Sequence, residues 1–234
     1  MTVLAVPGAL NLRDVGGIPV GSSRVRNDVL FRSGQLSALT DHGAQLLRAQ
    51  IEQIVDLRDD AEVAAEPSAL RDVDVTRLPL FVGSAASFFE EDLDLAAMYR
   101  QLVRESGARF VEALRVIAAG RPTLVHCTVG KDRTGLTIAL ALAAVGADRE
   151  AIIDDYALTA SQLPEDRNRG IVEFLRRNYP DARNLIELST ESPAPVMREL
   201  LAEIDAEFGS VRDYLREQGM SRGDLDALER ALVV

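Results

Sequence analysis

The stretch VHCTVGKDRTG, Val125 to Gly135, holds the only cysteine of 234 residues and one of only two histidines, with a glycine, a lysine and an arginine close behind the thiol. Five residues separate Cys127 from Arg133. A loop of that length, closed onto a helix N-terminus, turns several backbone N–H groups towards one centre, and such a cradle suits a phosphate. The amides of Thr128, Val129 and Gly130 would line it, and Gly130 lets the backbone approach an anion with no Cβ in the way. The same amides and helix dipole, with the cations of Lys131 and Arg133, favour the thiolate of Cys127, which is its nucleophilic form. Arg133 offers a planar fork for two phosphoryl oxygens, which a lysine point charge holds less well. Thr134 can donate its hydroxyl to the sulfur. A lone cysteine taken by itself is a small buried apolar residue; the strand before it, the two cations and the helix behind it make Cys127 a nucleophile.

Two further residues have two readings each. His126 either orients the loop through hydrogen bonds or is a satisfied histidine at a strand end. Asp56, at the C-terminal end of an expected strand, faces the sheet edge where open α/β folds bind ligands. There it holds an attacking water, or it forms an ion pair with Arg58. Near the N-terminus, Asn11, Arg13 and Asp14 precede Gly16 and Gly17, and they either form a structural turn or brace the anion loop.

The elements that must position these residues follow from hydrophobic patterning. Short apolar runs predict strands over Val29 to Arg32, Ile51 to Leu57, Val73 to Leu80 and Thr123 to His126. Thr40 caps a helix carrying Leu46 and Leu47. Leu95, Met98, Leu102 and Val103 form one helical stripe; Gly107 interrupts it; Phe110, Leu114 and Ile117 form a second that ends near Gly120. GLTIALALAAVG is apolar almost all round and predicts a central buried helix ending at Gly146, with Asp148 capping the next. The active loop therefore sits at a strand-to-helix junction. Ile171, Phe174 and Leu175 mark a helix closed by Pro180. Met197, Leu200, Leu201, Ile204 and Phe208 mark a long amphipathic one, and Ser221 with Asp224 forms a capping box opening the last.

Alternation of strands with helical patterns indicates α/β layering, and 234 residues without repeats or low-complexity linkers suit a single domain over 1–234. An apolar content of 47% with 27% charged residues is that of a soluble enzyme, and no apolar run is long enough to span a bilayer. The N-terminus lacks a basic n-region, so cytoplasmic location is the default expectation. One cysteine and two histidines supply too few ligands for a protein-built zinc site, so neither metal nor other cofactor is expected. A net charge of −11 argues against nucleic-acid binding, so an anion must be captured by local geometry.

HCTVGKDRTG resembles the active-site loop of cysteine-dependent phosphatases, and its KDR variant resembles the bacterial tyrosine phosphatase family with dual- and triple-specificity members that includes secreted phosphatases of pathogenic mycobacteria. NLRDVGG (Asn11 to Gly17), FRSGQL (Phe31 to Leu36), IVDLRDDAEV (Ile54 to Val63) and DDYALTA (Asp154 to Ala160) resemble that family in type and order. The resemblance implies an α/β cysteine-phosphatase fold, with a central, mostly parallel sheet flanked by helices and a helical C-terminal half. The helical region within about 161–208 either forms a lid, as in some relatives, or covers the sheet. The resemblance also implies metal-free hydrolysis of phosphotyrosine in a protein or peptide through a phosphocysteine intermediate, with phosphoserine, phosphothreonine or phosphoinositide as further substrates in some relatives.

Many tyrosine phosphatases carry their general acid on a tryptophan-containing loop, and this chain has no tryptophan. The resemblance to KDR-type enzymes makes Asp132 the leading candidate to protonate the leaving oxygen. Its alternative is an ion pair with Lys131 or Arg133, and Asp92 and Asp94 in EEDLDL are rival acids. Lys131 adds charge to the cradle and would help to bind a multiply charged inositol phosphate. Two other functional classes share such a loop: a silent phosphate-binding module, and a redox or sulfur-transfer enzyme, although a multi-thiol reductase lacks its resolving cysteine here.

Overall fold

The computed structural model describes residues 1–80 and 93–234. Its strands in chain order are β1 (Thr2–Val3), β2 (Arg13–Asp14), β3 (Pro19–Val20), β4 (Ser23–Arg24), β5 (Leu30–Ser33), β6 (Gln53–Asp56), β7 (Asp74–Arg77) and β8 (Thr123–His126). Six of them form one sheet in the order β1-β2-β5-β8-β6-β7, and β3 pairs only with β4. β5, β8, β6 and β7 run parallel, and β1 and β2 add antiparallel pairs at one side. β8, the last in sequence, is inserted between β5 and β6, so both its edges are hydrogen-bonded.

The helices are α1 (Asp41–Arg48), α2 (Asp60–Ala65), α3 (Leu95–Glu105), α4 (Gly107–Ala118), α5 (Asp132–Ala144), α6 (Arg149–Gln162), α7 (Glu165–Asn178), α8 (Leu185–Thr190), α9 (Ala194–Phe208), α10 (Val211–Glu217) and α11 (Arg222–Leu232). The expected caps are present: the side chains of Thr40 and Asp148 accept from the Gly43 and Ala151 amides, and Ser221 with Asp224 closes a capping box. None of these helices is long and apolar enough to cross a membrane.

Side chains alternate across the central strands, and both faces are covered, as a parallel sheet requires. Phe31, Ile54 and Leu124 join a smaller core with Leu36, Leu47 and Ile51. Leu30, Val55 and Val125 join the larger core, which is built on α3, α4, α5 and the C-terminal helices. α5 is buried on nearly every side, in agreement with its all-round apolar sequence. The expected strand over Val73 to Leu80 is shorter and lies at the sheet edge, where Asp74, Val75 and Arg77 are exposed.

The stretch 161–208 divides in two. α9 buries Met197, Leu200, Leu201 and Ile204 and is part of the larger core. α7 buries only Leu175, and Phe174, expected in its buried stripe, is 55% exposed. The reason is that α7 packs on the short α8 rather than on the sheet.

One polar cluster joins the antiparallel side of the sheet to α6. Asp155 accepts from Arg13 Nε at 2.7 Å and from Arg32 Nη1, and Arg13 Nη2 also donates to the Asp155 carbonyl (2.7 Å) and to Thr159 Oγ1 (3.1 Å). Both guanidinium groups are fully buried. Burial and the neighbouring charge of Arg32 pull Arg13 down to about 10, against the opposing pull of Asp155, so it stays protonated at neutral pH. Burial resists ionisation of Asp155, but Arg32 and Arg13 together hold its carboxyl below the usual range.

Neutralising Asp155 leaves two buried cations without a counter-charge, a change that costs about 3–5 kcal/mol. Asp155→Asn should therefore lower Tm by about 10 °C in a chain of this size. Asp166→Asn, which breaks the exposed pair with Arg169, should shift it by no more than about 2 °C. Thermal unfolding followed by circular dichroism makes the comparison, and equal shifts would show that the cluster is not the joint described.

Candidate active site

The loop from Cys127 to Arg133 leaves the C-terminal end of β8 and runs directly into α5. Donors outside the cradle hold its carbonyls. The Gln35 amide donates to Thr128 O (3.0 Å), Asn11 Nδ2 to Val129 O (3.2 Å) and Gly130 O (3.1 Å), and Arg32 Nη2 to Gly130 O (2.8 Å). In a planar trans peptide the N–H of the next residue points the opposite way. The amides of Val129, Gly130 and Lys131 are thereby turned from the bracing side towards the loop interior. The Gly130 N–H shows the result, donating to Cys127 Sγ at 3.3 Å. Gly130 has φ +73°, and a Cβ there would lie 2.3 Å from Ser33 O, so close packing on the β5 end requires glycine. Cys127 itself is 3% exposed.

Of the N-terminal trio, the structure gives both readings a share. Asp14 is the turn residue, accepting from the Gly16 and Asp28 amides at 2.8 and 3.0 Å. Asn11 braces the loop from a left-handed backbone (φ 55°), and Arg13 holds Asn11 through Nη1.

Arg133 lies on the first turn of α5, and its fork is held by a residue that the sequence reading does not single out. Nη1 and Nη2 donate to Glu62 Oε2 (2.6 Å) and Oε1 (2.7 Å), Nη2 reaches Thr128 Oγ1 (3.2 Å), and Thr128 Oγ1 in turn donates to Glu62 Oε1. The terminal nitrogens expected to serve phosphoryl oxygens thus meet a carboxylate. Glu62 is placed by a capping box at the start of α2, where Asp59 and Glu62 exchange backbone contacts at 2.7 and 3.0 Å. The Asp-x-x-Glu spacing was legible in the sequence; its pairing across the fold was not.

Two expectations are corrected, and one open reading is decided. Lys131 does not add charge to the cradle: its ammonium is 1% exposed and donates to the carbonyls of Glu187 (3.1 Å), Leu188 (3.0 Å) and Glu191 (2.8 Å), at the C-terminal end of α8. Three carbonyls engage the three N–H donors of a lysine, and a cation at a helix C-terminus is favoured by the dipole. Of the two readings of Asp56, the structure shows the ion pair: Arg58 Nε and Nη2 approach its oxygens at 3.0 and 2.9 Å. Among the described residues, Thr134 Oγ1 is buried with no hydrogen-bond partner, so its expected donation to the sulfur is not made.

His126 Nδ1 lies 3.2 Å from the Cys127 carbonyl, and Nε2 lies 3.7 Å from Asp56. Burial pushes the imidazole below its ordinary value, more than the Asp56 charge raises it, so His126 is a neutral hydrogen-bonding group at the start of the loop. Asp132, the first residue of α5, is 23% exposed in its side chain. Its Oδ1 accepts from Tyr99 Oη at 2.8 Å and lies 3.3 Å from Lys131 Nζ. Asp94 caps α3 through the Ala97 amide (2.7 Å), and Asp92 lies outside the described residues.

Burial opposes ionisation of Glu62, yet the hydrogen bonds and charge of Arg133, with Thr128 and the Asp59 amide, hold its carboxyl at about 2 rather than 4.5. Because the folded value lies below the unfolded one, this stabilisation is complete above pH 4.5 and is lost as the pH falls towards 2. Glu62→Gln should lower Tm at neutral pH by roughly 5 °C, corresponding to about 2 kcal/mol. The gap from the parent protein should close in acid. A gap unchanged down to about pH 3 would show that the ion pair contributes no pH-dependent stability.

A family model described as "Tyrosine phosphatase family" matches residues 4–234. The triple specificity protein phosphatase PtpB of Mycobacterium tuberculosis is 33% identical, with all of both chains covered. A tyrosine-protein phosphatase of Nostoc commune is 28% identical over 86% of this chain and 73% of its own. Among solved structures, P. aeruginosa TpbA aligns with a TM-score of 0.38 and 22% identity over 79% of this chain and 96% of its own. With a family match that runs through the braced loop, its cysteine and its arginine, the chain belongs to the tyrosine phosphatase family.

Proposed function

We propose that this protein-tyrosine phosphatase hydrolyses phosphate monoesters at Cys127. The observation that carries the reading is the outward pinning of the loop carbonyls by Gln35, Asn11 and Arg32, which aims the amides inward with Gly130 N–H on the sulfur. Donors fixed in this way need no reorganisation as charge develops on the phosphoryl oxygens. Arg133 supplies the cation, positioned by Glu62.

In the first step the Cys127 thiolate attacks phosphorus; the S–P bond forms as the P–O ester bond breaks, and Asp132 gives its proton to the departing oxygen. In the second, water attacks phosphorus and the S–P bond breaks. The Asp132 carboxylate takes the proton from that water, and phosphate leaves with the acid restored. His126 supports the loop and touches no reacting atom in this scheme.

For substrate, phosphotyrosine in a protein or peptide is the first choice. The resemblance of the loop and its flanking motifs to the family extends the candidates to phosphoserine, phosphothreonine and phosphoinositide, and a mycobacterial relative is named a triple specificity protein phosphatase. Lys131 gives no support to the inositol phosphate, because its ammonium is turned into α8. Rates measured side by side on phosphotyrosine peptide, phosphoserine peptide and a phosphoinositide rank them.

Cys127→Ser should abolish turnover while phosphate or vanadate still binds, as followed by ligand-dependent thermal stabilisation. Retained turnover would remove the nucleophile assignment. Asp132→Asn tests the acid through the leaving group. Loss of a general acid slows ester hydrolysis by about 100-fold or more when the leaving oxygen needs a proton, as tyrosine does, and far less for a nitrophenolate that departs unaided. An equal loss on phosphotyrosine and nitrophenyl phosphate would make Asp132 a structural residue.

A further inference from the structure

Asp132 is exposed enough to meet a substrate, but a side chain on the first turn of a helix has more than one rotamer open to it. What fixes it comes from α3. Tyr99 is a member of the stripe formed by Leu95, Met98, Leu102 and Val103, and it is fully buried. Its Oη lies 2.8 Å from Asp132 Oδ1 and 2.8 Å from Tyr156 Oη, a second buried phenol, on α6. The two rings meet edge to face, 6.0 Å apart and at 78°.

The donor inventory gives this chain a direction. A phenol has one proton. Oδ1 of Asp132 faces both Tyr99 Oη and, at 3.3 Å, the Lys131 ammonium, so it is the accepting oxygen. Tyr99 therefore spends its proton on Asp132, and the contact between the phenols is a hydrogen bond donated by Tyr156. Burial, and then the charge of Asp132, push Tyr99 well above its ordinary value, so it keeps that proton. With Oδ1 accepting the Tyr99 proton and facing the Lys131 charge, the proton of the acid form belongs on Oδ2.

We propose that Tyr99 is the positioning residue for the general acid: its hydroxyl holds Asp132 by Oδ1, so that Oδ2 carries the proton given to the leaving oxygen. This rests on the reading of Asp132 as the acid. Tyr99 touches no substrate atom in the scheme and acts only through Asp132.

Two single-atom variants separate positioning from packing. Tyr99→Phe and Tyr156→Phe both lose the hydrogen bond between the phenols and keep both rings; only Tyr99→Phe also loses the bond to Asp132. Rates are measured on phenyl phosphate and on nitrophenyl phosphate, with and without Asp132→Asn. Tyr99→Phe should slow phenyl phosphate by about 10-fold, part of the roughly 100-fold or more that a general acid contributes, and nitrophenyl phosphate by less than about 3-fold. Tyr156→Phe should keep the ratio of the two rates within about 2-fold of the parent. In the Asp132→Asn background, Tyr99→Phe should change neither rate by more than about 2-fold, because the interaction it serves is already gone.

The two ways of failing are separable. If Asp132→Asn slows both substrates equally, the acid assignment is wrong and the proposal falls with it. If Asp132→Asn is selective for phenyl phosphate while Tyr99→Phe slows both substrates alike, matches Tyr156→Phe, or adds its full effect to Asp132→Asn, the acid stands and the role given to Tyr99 is overturned.

Discussion

Two buried guanidinium groups, Arg13 and Arg32, share the single carboxylate of Asp155, and the charge they leave uncompensated is directed at the anion loop. Arg32 Nη2 donates to the Gly130 carbonyl, and Arg13 holds Asn11, which reaches the carbonyls of Val129 and Gly130. Buried cations require acceptors, because an unpartnered charge in a low-dielectric interior is costly. Here the acceptors beyond Asp155 include the Gly130 carbonyl, which Arg32 reaches directly, and Asn11, which Arg13 holds against the loop. Satisfying the arginines and aiming the loop amides are therefore one event, and the anion cradle follows from the electrostatics of the core beneath it.

The remaining parts of the site are likewise held by residues remote in sequence. The end of β6 and the start of α2 supply Glu62, which grips Arg133 and Thr128 together. α3 supplies Tyr99 to Asp132. Lys131 reaches the other way, out of the loop and onto the last turn of α8. Neighbouring residues of a seven-residue loop thus point to different layers of the fold. The position of α8 and the conformation of the loop are coupled through Lys131, while α7, largely exposed, packs on α8.

The sequence by itself determined the parts that depend on local chemistry. The Cys-to-Arg spacing, the glycine within the loop, the strand before the loop and the apolar helix after it, and the caps at Thr40, Asp148 and Ser221 are all written within a few residues of one another, so periodicity and turn chemistry reveal them. What tertiary structure decided is the direction of each charged side chain. Lys131 and Arg133 look alike as cations beside a phosphate loop, yet one binds helix carbonyls and the other a glutamate 71 residues away. Asp56 and Asp132 are both carboxylates at strand or helix ends, yet one is closed by Arg58 and the other remains partly exposed. Arg13, Arg32, Glu62, Tyr99 and Asp155 gain their roles through partners more than 30 residues distant, apart from the short links from Arg13 to Asn11 and from Glu62 to Asp59. Long flexible side chains choose partners by burial and charge balance in three dimensions, and neither quantity exists until the sheet and its helices have packed.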